Sequence, residues 1–275
     1  MSRLLSILAV ALPFLYGGTL GLYLRHFFRE DEGERFWGSG VFYSALGLHG
    51  VYLSLLGAHT GHFPIASKSE FFSLLALSVG AIYALAERRH REANTGIFFI
   101  AIVFLFEAAS ALMAGDVGIV PDRSRNPVYG IHVIFTVLGF AGLTVSSLYS
   151  LMYLMLNRQL KSRTLGLIFR QLPPLSVLEN MSRLATLTGV VTLGVGLLLG
   201  HYVAVQQFGW VDVFQHPIII VADLAWVAYV VGMIVARTKS LSGVQTGYLT
   251  VGGYVAFMTS LIIVLTQFGA FHTFQ

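Results

Sequence analysis

Nine histidines and no cysteine set the chemistry open to this chain of 275 residues. Without sulfur ligands there is no thiolate zinc site, iron–sulfur cluster, dithiol relay or thioether-anchored haem. A metal or metal-bearing group would have to rest on imidazole, methionine or carboxylate. Imidazole is a common metal ligand and the usual haem ligand where sulfur is absent. Besides the histidines, the residues with the most chemical potential are Glu107 and Asp223, each inside an apolar stretch. No nucleophile with an oxyanion arrangement and no phosphate-binding loop is visible, so the chain does not read as an enzyme.

The elements that hold these residues follow from composition. Hydrophobic residues make up 56% of the chain and charged residues 11%, with a mean hydropathy of +0.75. Soluble chains carry about 25% charged residues, so most of this length sits in lipid. Apolar runs predict an all-α bundle of eight transmembrane helices at about 4–26, 37–59, 71–86, 95–113, 128–156, 180–205, 218–236 and 247–270. The third run is short and is expected to borrow a turn from each flank. No period-two alternation appears, which argues against a β-barrel. The whole of 1–275 reads as a single transmembrane domain.

Basic residues give the sidedness, because Lys and Arg near span ends stay cytoplasmic. Arg25, Arg29, Arg35, Arg88, Arg89, Arg91, Arg158, Lys161, Arg163, Arg170, Arg183, Arg237 and Lys239 fall on one face; of the 17 basic residues only Arg3, Lys68, Arg123 and Arg125 fall on the other. Both termini are therefore expected outside, with the first apolar segment a retained helix rather than a cleaved signal. The net charge of +4 reads as orientation and not as a nucleic-acid footprint. The segment from Asn157 to Asn180 is the longest cytoplasmic connection; Pro173 and Pro174 break any continuous helix through it, and LGLIFRQL within it could form a short surface helix.

On this map His26 and His90 lie at the cytoplasmic surface, while His59, His62, His132, His201, His216 and His272 lie at or near the outer one. His59 and His62 have a spacing able to hold a divalent metal but read as solvated loop residues. His49 is near mid-membrane, about 12 to 15 Å below the outer end of its helix, where an ionisable ring faces a partner or a cavity. Glu107 and Asp223 fall about a third of the way in; either could orient a ligating imidazole or gate protons, or be protonated and hydrogen-bonded.

Three stretches carry a resemblance: NPVYGIHVIFTVLGFAGLTVSSLYSLMYLMLNRQLK, LPPLSVLENMSRLATLTGVVTLGVGLLLG and RTKSLSGVQTGYLTVGGYVAFMTSLIIVLTQFGAFHTF. In their order and spacing the chain is similar to the cytochrome c assembly family, the CcsA-type proteins and their smaller HemX-like relatives, from about residue 40 to the end and best over 126–275. The resemblance implies non-covalent haem b, held near the outer face by an axial histidine pair that corresponds to His132 and His272. His201 could replace one of these or, with His49, hold a second haem. The family's tryptophan-rich haem shelf corresponds to GHYVAVQQFGWVDVFQHPIII, which keeps Gly209, Trp210 and Pro217 but lacks most of the tryptophans. The histidine by which CcsA-type proteins admit haem from the cytoplasm has no counterpart in VVGMIVARTK.

A haem site also needs an apolar slot and cations for the propionates. Phe208, Trp210, Phe214, Phe268, Phe271 and Phe274 could line the slot, and Arg123 and Arg125 could meet the propionates. The expected function is haem handling or transport of the HemX type in the inner (cytoplasmic) membrane, with haem, the lipid bilayer and cytochrome c assembly or haem-biosynthesis proteins as partners and no nucleic acid. Two other readings stay open. One is a regulatory membrane protein that controls a haem-biosynthesis enzyme through the basic loop, and the other is a transmembrane b-type electron-transfer cytochrome.

Overall fold

In lipid every backbone N–H and C=O needs an internal partner, so apolar runs of this length fold as helices. The computed structural model describes residues 2–28, 37–114, 125–163, 166, 170–209 and 217–267. Within them lie α1 (Ser2–Phe28), α2 (Gly38–Thr60), α3 (Lys68–His90), α4 (Gly96–Leu112), α5 (Pro127–Ser162), α6 (Leu175–Phe208), α7 (Pro217–Thr238) and α8 (Gly243–Gln267). No strand occurs among the described residues. Helices α1, α2, α3, α5, α6 and α7 are long and apolar enough to cross a membrane. Large apolar side chains face outward along them: Phe14 and Leu198 are each 75% exposed, an arrangement that suits lipid and not water. The chain is a multi-pass helical membrane protein.

Each expected span is a helix, with ends displaced by a few residues. Helix α3 does borrow a turn at each end. Its start is fixed by a capping box, in which the Ser67 hydroxyl accepts from Glu70 N–H while the Glu70 carboxylate accepts from Ser67 N–H. The connection expected over 157–180 is shorter. Helix α5 continues to Ser162 through Arg158, Gln159, Leu160 and Lys161, all strong helix formers, and α6 starts at Leu175, directly after an extended Pro174. Of LGLIFRQL, half lies outside the described residues, and Arg170 and Gln171 are helical.

Contacts group the chain into two units, residues 1–130 and 131–273, taken in turn. In the N-terminal unit α1 packs on α2 and α4, and α3 packs on α2 and α4. Its core is aromatic: Tyr16, Tyr23, Phe42, Tyr83 and Phe99 are fully buried, and the rings of Tyr83 and Phe99 stack with centroids 4.8 Å apart. Buried Glu87 accepts hydrogen bonds from Tyr23 at 2.8 Å and Tyr43 at 3.1 Å.

In the C-terminal unit α5 and α6 run antiparallel along a seam of small residues. A Cβ built on Gly142 would lie 2.5 Å from the Gly189 Cα, so the two backbones touch there. From that point the register runs both ways. In one direction Ser146 meets Ser182 and Thr186, and Ser150 meets Ser182 at 2.8 Å. In the other, Gly139 faces Leu193, Thr136 faces Gly196 and His132 faces Gly200. Helix α7 hydrogen-bonds this pair through Trp226 Nε1 to the Val190 carbonyl at 2.8 Å. Helix α8 stacks Phe257 on Phe140 and joins Tyr254 to Thr144 at 2.8 Å. Because nothing larger than hydrogen fits at the Gly142 contact, Gly142→Leu is expected to cost about 1–3 kcal/mol. A lowered unfolding midpoint in detergent would report it; an unchanged midpoint would mean that the seam is not tight.

Candidate functional site

His132 sits one turn into α5, and the seam decides what its ring meets. A Cβ on Gly200 would come within 2.6 Å of the ring Cε1 and 2.8 Å of Nδ1, so the imidazole lies directly on the α6 backbone. Its Nδ1 is 2.7 Å from the Gly196 carbonyl oxygen. A carbonyl only accepts, so Nδ1 carries the proton and the neutral ring keeps its lone pair on Nε2. A ligating histidine is commonly fixed this way, the other nitrogen donating to a carbonyl. The donor chemistry of His132 therefore fits a haem iron. Thr136, one turn on, gives its hydroxyl proton to the His132 carbonyl at 2.8 Å and lies 3.4 Å from Nδ1.

His201 follows Gly200 on α6. Its Nδ1–H donates to the Leu197 carbonyl at 2.8 Å, and its Nε2 faces Asp223 Oδ2 of α7 at 3.1 Å. Both ring nitrogens of His201 therefore lie against protein groups. Asp223 thus meets an imidazole, and which histidine it meets is a matter of helix packing.

His49 belongs to the N-terminal unit and is 0% exposed. Tyr16 of α1 contacts its Nδ1 at 3.0 Å, and Ser73 of α3 contacts its Nε2 at 2.8 Å. Ser73 continues to Glu107 Oε2 of α4 at 3.1 Å, and that oxygen is 3.4 Å from His49 Nε2. Each of four helices supplies one member. The sequence marks His49 and Glu107 as unusual at bilayer depth, whereas nothing separates Tyr16 and Ser73 from other hydroxyl residues in apolar helices.

The remaining expected positions divide as follows. His272, Trp210, Arg123, His216, Phe214, Phe268, Phe271 and Phe274, and the side chain of Phe208, lie outside the described residues. Arg125 is exposed just before α5. His59 is exposed as expected, but His62 is only 9% exposed. There Gly61, at φ +71°, turns the chain back so that the His62 carbonyl lies over Gly57, while the ring donates from Nδ1 to the Phe63 carbonyl at 2.8 Å. Among the described residues no group of three or more His, Asp or Glu is placed to hold a metal ion. One feature with no sequence signal is a cavity of about 530 Å³ in the C-terminal unit, apolar along Leu224, Tyr229, Met233 and Phe257, with Arg183 and Arg237 among its lining.

The geometry around His132 predicts a spectroscopic state. In ¹⁵N-histidine NMR the His132 ring should carry its proton on Nδ1. Gly200→Val should displace the ring and abolish that single tautomer; an unaltered signal would contradict the contact.

No curated protein and no solved structure matches the chain. The sequence profile described as Cytochrome C assembly protein matches residues 65–268, which takes in α3 to α8 entire, with His132 and His201, while α1, α2 and His49 precede it. Over that stretch, about three quarters of its length, this chain belongs to the cytochrome c assembly protein family.

Proposed function

We propose that the protein is a HemX-like haem-handling member of its family, resident in the inner (cytoplasmic) membrane with both termini outside. His132 and His272 would hold haem b non-covalently near the outer face. The observation that carries this reading is the His132 Nδ1–H bond to the Gly196 carbonyl, which fixes the ring in the Nδ1–H tautomer suited to ligation through Nε2, near the start of α5. A second support is the family membership itself, which ties the chain to a haem-related membrane function.

His49 lies in the N-terminal unit between Tyr16 and Ser73, and His201 Nε2 faces Asp223 at 3.1 Å; neither is assigned to this pair. Bound haem would supply an iron able to take two imidazoles. The chain's part is to fix the His132 tautomer and orient its ring. Arg123 and Arg125 stand before α5 as the nearest cations in sequence for the propionates. Cytochrome c assembly or haem-biosynthesis proteins are the partners this role requires.

Purified protein is expected to show a Soret band and, on reduction, sharp α and β bands. His132→Ala should weaken haem retention at least tenfold, a loss of about 1.4 kcal/mol, whereas His59→Ala should retain haem as the unaltered protein does. A colourless protein that takes up no added haem would overturn the reading.

A further inference from the structure

The N-terminal unit holds a closed set of polar groups that the haem site does not use. Tyr16 and His49 are completely buried, Glu107 is 1% exposed and Ser73 is 2% exposed. The four groups form one hydrogen-bonded line, in the order Tyr16 hydroxyl, His49 Nδ1, His49 Nε2, Ser73 hydroxyl and Glu107 carboxyl, with successive contacts of 3.0, 2.8 and 3.1 Å.

With Glu107 as carboxylate only one order of donors satisfies every member. Tyr16 O–H donates to Nδ1, Nε2–H donates to Ser73 Oγ, and Ser73 O–H donates to Glu107 Oε2. With Glu107 protonated the reverse order also satisfies every contact: Glu107 O–H donates to Ser73, Ser73 O–H to Nε2, and Nδ1–H to the Tyr16 oxygen. The two orders differ by one proton and leave the imidazole neutral in both. A buried ring that never becomes a cation avoids the desolvation cost of an isolated charge in lipid.

We propose that Tyr16, His49, Ser73 and Glu107 form a proton-transfer chain through the N-terminal unit, distinct from the haem site. A proton arriving on the Tyr16 oxygen releases the Tyr16 hydroxyl proton to Nδ1. Nε2–H then passes its proton to Ser73, and the Ser73 proton completes the Glu107 carboxylic acid. At Tyr16 and at Ser73 one O–H bond forms as another breaks, the N–H moves from Nε2 to Nδ1, one O–H bond is gained at Glu107, and no electron is transferred. Return of the Glu107 proton along the same line restores the first order.

Beyond Glu107 the polar groups continue toward the start of α3. Ser69 donates to the Ser110 carbonyl at 2.9 Å, and Glu70 follows it. On the other side Tyr23, Tyr43 and Glu87 form the next buried polar cluster, with Tyr23 two helical turns, about 10 Å, from Tyr16. The Glu107 end of the line therefore leads toward the start of α3, and the Tyr16 end toward the cluster of Tyr23, Tyr43 and Glu87. The titratable groups facing Glu107 and its partners are Tyr16 from α1, His49 and Tyr52 from α2 and Glu70 from α3. Two of the four members, Tyr16 and His49, precede the stretch that matches the family, and Ser73 and Glu107 lie within it.

Full-length protein with ¹⁵N-histidine, followed by NMR and by infrared spectroscopy of the protonated carboxyl band, tests the proposal. At high pH His49, assigned by its loss in His49→Gln, should carry its proton on Nε2. As pH falls the proton should move to Nδ1 with the same midpoint at which the Glu107 carboxyl band grows. Glu107→Gln should remove the band and freeze the tautomer. Ser73→Ala, which keeps the carboxyl, should retain the band while uncoupling the ring from it. A His49 ring that becomes doubly protonated, keeps one tautomer while Glu107 titrates, or still follows Glu107 in Ser73→Ala would overturn the proposal.

Discussion

The contact on which the rest of the C-terminal unit depends is the touching of α5 and α6 backbones at Gly142 and Gly189. Lipid gives no hydrophobic drive to helix association, so close packing and interhelical hydrogen bonds must supply it. A side chain at either position would push the helices apart and release the register that pairs Ser146 with Ser182 in one direction and His132 with Gly196 in the other. The His132 tautomer is thus set by glycines about ten residues away along α5 and α6.

Histidines within the helices are treated in two ways. In the N-terminal unit His49 is enclosed by partners from α1, α3 and α4, and the line ends on a carboxyl that can take or give a proton. In the C-terminal unit His132 and His201 each donate from Nδ1 to a carbonyl of α6, and His201 is further held by Asp223 from α7. The shared constraint is the cost of a polar group without a partner in lipid.

The positions of the helices were legible because a bilayer imposes a minimum apolar length that the sequence displays directly. Their ends were less so. The extension of α5 to Ser162 is built from polar helix formers that no apolar run marks, whereas Ser67 and Glu70 carry a capping signature at the start of α3. The candidate site divides along the same line. That His49, Glu107 and Asp223 need partners follows from residue type and depth alone. That Glu107 meets His49 and Asp223 meets His201 depends on which helices pack together. Gly196 and Gly200 matter only through the α5–α6 register, which is a property of two helices and is written in neither.

The most direct test of an iron held by His132 is low-temperature electron paramagnetic resonance of the haem-loaded ferric protein. A low-spin signal of the bis-imidazole kind in the unaltered protein, converted to high spin in His132→Ala, is the expected result. A signal unchanged by His132→Ala would contradict it.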